Sequence, residues 1–245
     1  MKLSLSIITI ALLLPQEKND AEEIFKALVE KLSKAETVQV ESRASLDCQK
    51  HGEKWTALIT GKIFLHKDGH ARLEYEGQNK GPVSSLIVSD AITTTWVSGK
   101  RRPSLPAQPT LRRDAIALLA RTGSTQAITV IGVGLRSAEM EEEIRQRGGS
   151  PEPREADPLK RMRIGQFTRV PAEKVDGRAV IALQFIVEYE GETGKTTVTV
   201  WIDSETRLPI RRRVIDEGEG TLTEESYSVF NLDEKIDPAK FELPK

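Results

Sequence analysis

"TTVTVWIDSETRLPIRRRVI", Thr196–Ile215, is two runs of β-branched and apolar residues on either side of a polar turn. Alternation with a period of two is the signature of a strand with one buried face. Val198 and Val200 share that face. Asp203-Ser204-Glu205-Thr206 supplies the turn, where Asp203 can accept a backbone N–H, and Pro209 opens the second run where a missing donor does least harm. The stretch predicts an antiparallel hairpin. It carries no recognisable catalytic group, so its role is that of a wall.

The same period recurs on both sides. Val38, Val40, Ala44, Leu46 and Cys48 face one way, while Gln39, Glu41, Arg43 and Asp47 face the other. Trp55, Ala57, Ile59, Ile63 and Leu65 alternate likewise. An Asp68-Gly69 turn, suited to positive φ, leads back into "ARLEYE". "SSLIVSD" and "ITTTWVS" form a second pair. Ile181, Leu183, Phe185, Val187 and Tyr189 share a face before the opening hairpin, and "TLTEESYSVFN" follows it. Nothing alternates strand with helix as a parallel sheet requires, so the expectation is a meander of about ten strands. So many strands do not stay flat. The predicted fold class is mainly β with helices (α+β), a curled antiparallel sheet forming an incomplete β-barrel covered by helices.

Three helices are expected. Asp20 and Glu23 have capping-box spacing ahead of Ile24, Phe25, Leu28, Val29 and Leu32, which repeat at three and four. Thr110 is placed to cap a second helix carrying Leu111, Ala115, Leu118 and Leu119. Ile128, Ile131, Leu135 and Ala138 keep helical spacing, and "AEMEEEIRQR" favours helix strongly, so 124–147 reads as the third. The expected organisation is an apolar segment at 1–19, then a single domain over 20–245. That domain has a helical insertion at about 110–147 and a Pro/Gly-rich linker at about 148–158.

Composition narrows the function. Of 245 residues 38% are hydrophobic and 30% charged, and 36 basic side chains balance 37 acidic ones, which gives no field for nucleic acid. Arg211-Arg212-Arg213 is too short and too strand-like to make one. Lys2 followed by the apolar run Leu3–Leu14 and Pro15 is too short to span a bilayer but has the form of an export signal, which predicts the periplasm or cell envelope. Cys48, the single cysteine, reads as a small buried hydrophobe. His66, Asp68 and His70 have the spacing of metal ligands but sit on a tight solvated hairpin. Gly132-Val133-Gly134 lacks the third glycine of a nucleotide loop. No catalytic residue, metal ligand or cofactor site is expected.

The inward positions mix small residues with large ones: Ala44, Ala57, Gly61, Ala71, Ala179. A curled sheet lined this way either leaves an apolar hollow beneath the helices around Leu118–Leu119 and Ile128–Leu135, or is filled by them.

The tail "ESYSVFNLDEKIDPAKFELP", Glu225–Pro244, with its closing I-D-P-x-x-F-x-x-P, joins the hairpin motif W-I-D-x-x-T-x-L-P. Together with "SSLIVSDAITTTWV" and the first helix it resembles the LolA-like outer-membrane lipoprotein carrier superfamily over roughly 20–245. The resemblance implies an exported half-barrel that carries or senses acyl chains without catalysis. Its lining would be Val38, Val40, Ile59, Ile63, Leu73, Tyr75, Val88, Trp96, Leu183, Phe185, Val198 and Val200, and its lid Leu118, Leu119, Ile128 and Ile131. The partners implied are lipoprotein acyl chains or another lipid, together with membrane-bound envelope proteins, around a monomer. One departure stands out. The carriers end the strand matching "GKIFLH" in a basic residue and a proline, with an arginine that helps close the lid. Here His66-Lys67-Asp68 stands in that place. The alternative is an envelope sensor or interaction module whose half-barrel is packed solid.

Overall fold

A computed structural model describes residues 20–50, 53–79, 81–97, 99, 101–147, 158–191 and 194–244. The apolar N-terminal segment and residues 148–157 of the linker lie outside them.

The opening hairpin is β9 (Thr196–Asp203) and β10 (Pro209–Asp216), in antiparallel register with Val198 opposite Val214 and Val200 opposite Arg212. Before it run β1 (Thr37–Lys50), β2 (Glu53–His66), β3 (His70–Asn79), β4 (Gly81–Asp90), β5 (Thr93–Val97), β6 (Ser104–Pro106), β7 (Met162–Val170) and β8 (Val180–Tyr189). β11 (Thr221–Leu232) follows it. All eleven form one antiparallel sheet in the order β6-β5-β4-β3-β2-β1-β11-β10-β9-β8-β7. Its two halves are joined through β1 and β11, and β6 and β7 are left as edges, so the barrel is open. Turn chemistry sets the hairpins: Gly69 takes φ 102°, and Asp176-Gly177 take 49° and 77°.

Helix α1 (Ala21–Lys34) packs on β7, β8 and α2 (Leu111–Thr122). Helix α3 (Ser124–Gln146) crosses β1 to β4, and a short α4 (Pro158–Arg161) leads into β7. The long third helix expected over 124–147 is therefore one helix. It is buried at Ser124, Ala127, Ile128, Ile131, Gly132 and Leu135, and no residue beyond Leu135 is buried.

Two expected caps do not form. Neither Asp20 nor Thr110 makes a side-chain capping bond. The Asp20 carboxylate instead faces Arg169 of β7 at 2.8 Å, an ion pair that ties the start of α1 to the edge of the sheet.

On the convex face a 3-10 turn, Pro238–Phe241, packs on β3 and β4. There Arg72 donates to the carbonyl of Glu242 at 3.0 Å, and Lys240 lies 5.6 Å from the Phe64 ring. This tail covers a stretch of sheet whose other face is already in the core.

Candidate functional site

The concave face of the sheet is where a carrier would hold its load. Residues alternate into it along each strand. Val38, Val40, Ile63, Leu73, Leu183, Phe185, Val198 and Val200 form one buried cluster with Leu118 and Leu119 of α2 and Ile128 and Ile131 of α3. Tyr75 and Trp96 pack against it half-buried. Eight of the twelve lining positions thus share one buried cluster with the four lid positions. Ile59 is half-buried and lies outside the cluster.

Val88 is a correction. Leu73 pairs with Ile87, which is in the core, so Val88, paired with Arg72, points to the convex face. It is nevertheless only 5% exposed. Burial on both faces erases the alternation that would have told the two residues apart.

The hollow is occupied by the protein's own helices. Two depressions lie elsewhere. A trough of about 750 Å³ runs over the convex face past Leu58, Thr60, Glu76, Arg211, Glu224 and the Val175-Asp176 turn. A recess of about 280 Å³ lies between α1 and α2 beside Phe25, Val29 and Ala117.

The polar centre of the molecule is the joint between α2 and α3. Glu225 on β11 is 3% exposed and points inward. Its carboxylate accepts from the Ser124 N–H at 3.1 Å, from the Thr125 N–H at 3.3 Å, from the Ser124 hydroxyl, and from the Tyr227 hydroxyl at 2.6 Å. The first N–H groups of a helix have no partner of their own and carry the positive end of its dipole, so a buried carboxylate is well placed there. Ser42 of β1 joins through its hydroxyl, 2.5 Å from that of Ser124.

Two glycines make the joint possible. At Gly61 a β-carbon would stand 2.9 Å from both serine hydroxyls. At Gly123, with φ +100°, it would collide with Glu225 Oε2 and stand 3.3 Å from Cδ of Arg212. The helices therefore turn directly over β10 and β11. Burial pushes the Tyr227 hydroxyl well above its usual value; Arg212 opposes that shift and Glu225 adds to it.

Arg212 is the unexpected member. The central arginine of the Arg211–Arg213 run is 1% exposed, and among the described residues its buried Nε, Nη1 and Nη2 make no close hydrogen bond, although its charge acts on the Tyr227 hydroxyl. It stands opposite Glu225 in the β10–β11 register. Its neighbours in sequence lie on the other face, where Arg211 stacks 5.3 Å from the Trp201 ring and reaches Glu224 at 3.2 Å. The sequence held the signal for this pair. Arg212 shares a phase with Val214, and Glu225 shares one with Tyr227, so each is a charge among inward residues of its strand.

The turn candidates make local contacts. Asp203 Oδ1 accepts from the N–H of Glu205 at 2.8 Å and of Thr206 at 2.9 Å, the turn expected of it. Asp68 Oδ1 lies 2.8 Å from Nδ1 of His66 and 2.9 Å from Nδ1 of His70, so both rings turn toward one carboxylate oxygen. Among the described residues no group of three or more His, Cys, Asp or Glu could hold a metal ion. Cys48 is buried and free.

No protein-family model matches the chain, and no curated protein matches its sequence. Among solved structures it is similar to the lipoprotein LppX of Mycobacterium tuberculosis at 10% identity, covering 88% of this chain and 96% of that one with a TM-score of 0.44. Its similarity to LprF of Mycobacterium bovis is also at 10% identity, over 89% and 95%, with a TM-score of 0.47. A domain from Vibrio parahaemolyticus assigned to outer-membrane lipoprotein sorting is similar at 13% identity over 90% and 97%, with a TM-score of 0.35.

Proposed function

We propose that this is an envelope protein of carrier type that binds acyl chains of lipids or lipoproteins in the hollow of its open barrel, without catalysis, by exchanging its own helices α2 and α3 for the chain. The observation that carries this reading is the contact between wall and lid. It is apolar on both sides, buried at most of its positions, and fixed to the sheet by the polar joint at Glu225. A surface of that kind can close equally well over a hydrocarbon.

Magnitudes decide how it would open. Burying Leu118, Leu119, Ile128 and Ile131 is worth about 1.5–3 kcal/mol each, so exposing all four to water costs roughly 6–12 kcal/mol. That rivals the whole stability of a typical domain, about 5–15 kcal/mol. The hollow does not stand open in water. An acyl chain brings about 0.8 kcal/mol per buried methylene, so a dozen of them offset the loss. Binding of this kind selects for chain length and is indifferent to the headgroup. The apolar run Leu3–Leu14, read as an export signal, supports an envelope location.

One observation favours a second reading, an envelope sensor or interaction module that takes no lipid. Val38, Val40, Ile63, Leu73, Leu183, Val198 and Val200 are 0% exposed, as expected of a core that is simply finished. Titration with a fluorescent fatty acid separates the two. Saturable binding at one site, weakened by Leu183→Asp or Val200→Asp in variants that remain folded, supports the carrier. No binding at any chain length supports the module.

A further inference from the structure

Arg212 and Glu225 are direct partners in the β10–β11 register, and both are buried. Directly opposed residues hold their β-carbons about 4.5–5.5 Å apart, well within reach of two long side chains. Even so, the carboxylate bonds Ser124, Thr125 and Tyr227, and among the described residues the guanidinium nitrogens have no close hydrogen bond and no carboxylate partner, only the influence of their charge on the Tyr227 hydroxyl. A desolvated guanidinium in this condition is costly, and breaking a buried pair normally destabilises a fold strongly.

We infer that the joint is a partner-exchange switch: seated, α3 takes the Glu225 carboxylate for its N-terminus and leaves Arg212 without a carboxylate partner; lifted, α3 releases the carboxylate and Arg212 captures it across the two strands. The ion pair is an interaction of the lifted state. It stabilises that state by supplying each charge with a partner at the moment the helix end withdraws. The lid therefore has two arrangements set by the same carboxylate, which is what a discrete opening requires.

The inference rests on the reading that α2 and α3 lift, and does not depend on what enters the hollow. Its test is therefore made without lipid: hydrogen exchange of the Ser124–Ile128 amides, in wild type and in variants whose far-UV circular dichroism is native. Arg212→Met is expected to slow that exchange on the order of tenfold, because the lifted state loses its ion pair. In a Glu225→Gln background the same substitution is expected to change it by less than about threefold. Arg212→Gln is expected to act in the same direction as Arg212→Met. With Glu225 intact, unchanged or faster exchange on replacing Arg212 overturns the switch, and so does a slowing of about tenfold in the Glu225→Gln background. If neither Arg212 variant folds, the guanidinium is needed with the lid seated, and the switch is overturned equally.

Discussion

Gly61 of β2 lies directly beneath Ser124, the first residue of α3, so that a β-carbon at position 61 would stand 2.9 Å from the Ser124 hydroxyl and 2.9 Å from that of Ser42. The two hydroxyls are 2.5 Å apart and one of them donates to Glu225. An added methyl must part them. Gly61→Ala gains the usual advantage of alanine over glycine in a strand, about 0.5–1 kcal/mol. Against it stands overpacking of about 1–3 kcal/mol. The expected result is a net loss concentrated at the lid: faster hydrogen exchange along 124–135, with the β10–β11 amides unaffected.

Glu225→Gln keeps the shape of the joint and removes its charge. The amide presents two donors where Ser124, Thr125 and Tyr227 already donate, so at least one good bond is lost. Hydrogen bonds to a charged group contribute about 1.5–3 kcal/mol each, and a loss of that size is expected in the urea midpoint with an unchanged slope. A shift within error would mean that the carboxylate does not hold the lid.

Tyr227 links the joint to alkaline pH. Its folded pKa is raised by burial, above the ordinary value near 10. The stability due to its neutral form is therefore complete below about pH 10 and lost as the pH rises, because the unfolded chain ionises first. Tyr227→Phe is expected to flatten that alkaline decline. It is also expected to cost about 1–2 kcal/mol at neutral pH, since it withdraws a donor from Glu225. Denaturation series across alkaline pH check both.

Asp68 and Asp203 contribute to the acid limb, alongside Asp90 and Glu30, whose pKa values are lowered as well. Burial tends to raise the Asp68 pKa, but hydrogen bonds from the His70 N–H and the two imidazoles outweigh it and bring the pKa to about 2. Asp203 is lowered chiefly by the Thr206 N–H. Unfolded aspartate titrates near 3.9, so both contribute above that pH, and the Asp68 part is lost as the pH falls from about 4 to about 2. The Asp68 side chain is 52% exposed, which limits its share to under about 1 kcal/mol. Asp203→Asn is expected to keep the turn and flatten the acid limb. Asp203→Ala is expected to lose the turn as well.

The alternation in Thr196–Ile215 and its repeats made most of the strands and their hairpins legible, because a sheet with one dry face writes a period of two; the β1–β11 pairing that joins the two halves and the short β6 left no such mark. It failed where both faces are dry. Leu86, Ile87, Val88 and Ser89 are all buried, the convex side lying beneath the C-terminal turn, and Val88 took the wrong face. The Asp20 cap was misread because its carboxylate meets Arg169, a partner that no local window contains. The hollow itself was only half legible. Small inward residues left a cavity and a finished core equally open, and what decides between them is how closely α3 seats on Gly61. The Arg212–Glu225 pair was written in the phase of its two strands, but it was masked by the exposed arginines on either side.

Native mass spectrometry of gently purified, full-length protein tests the carrier reading most directly. The account predicts a population heavier than the bare chain by one lipid or acyl-bearing molecule, and its regain when a fatty acid is added after stripping. A spectrum of bare chain that stays bare after that addition would contradict it and leave the packed module in its place.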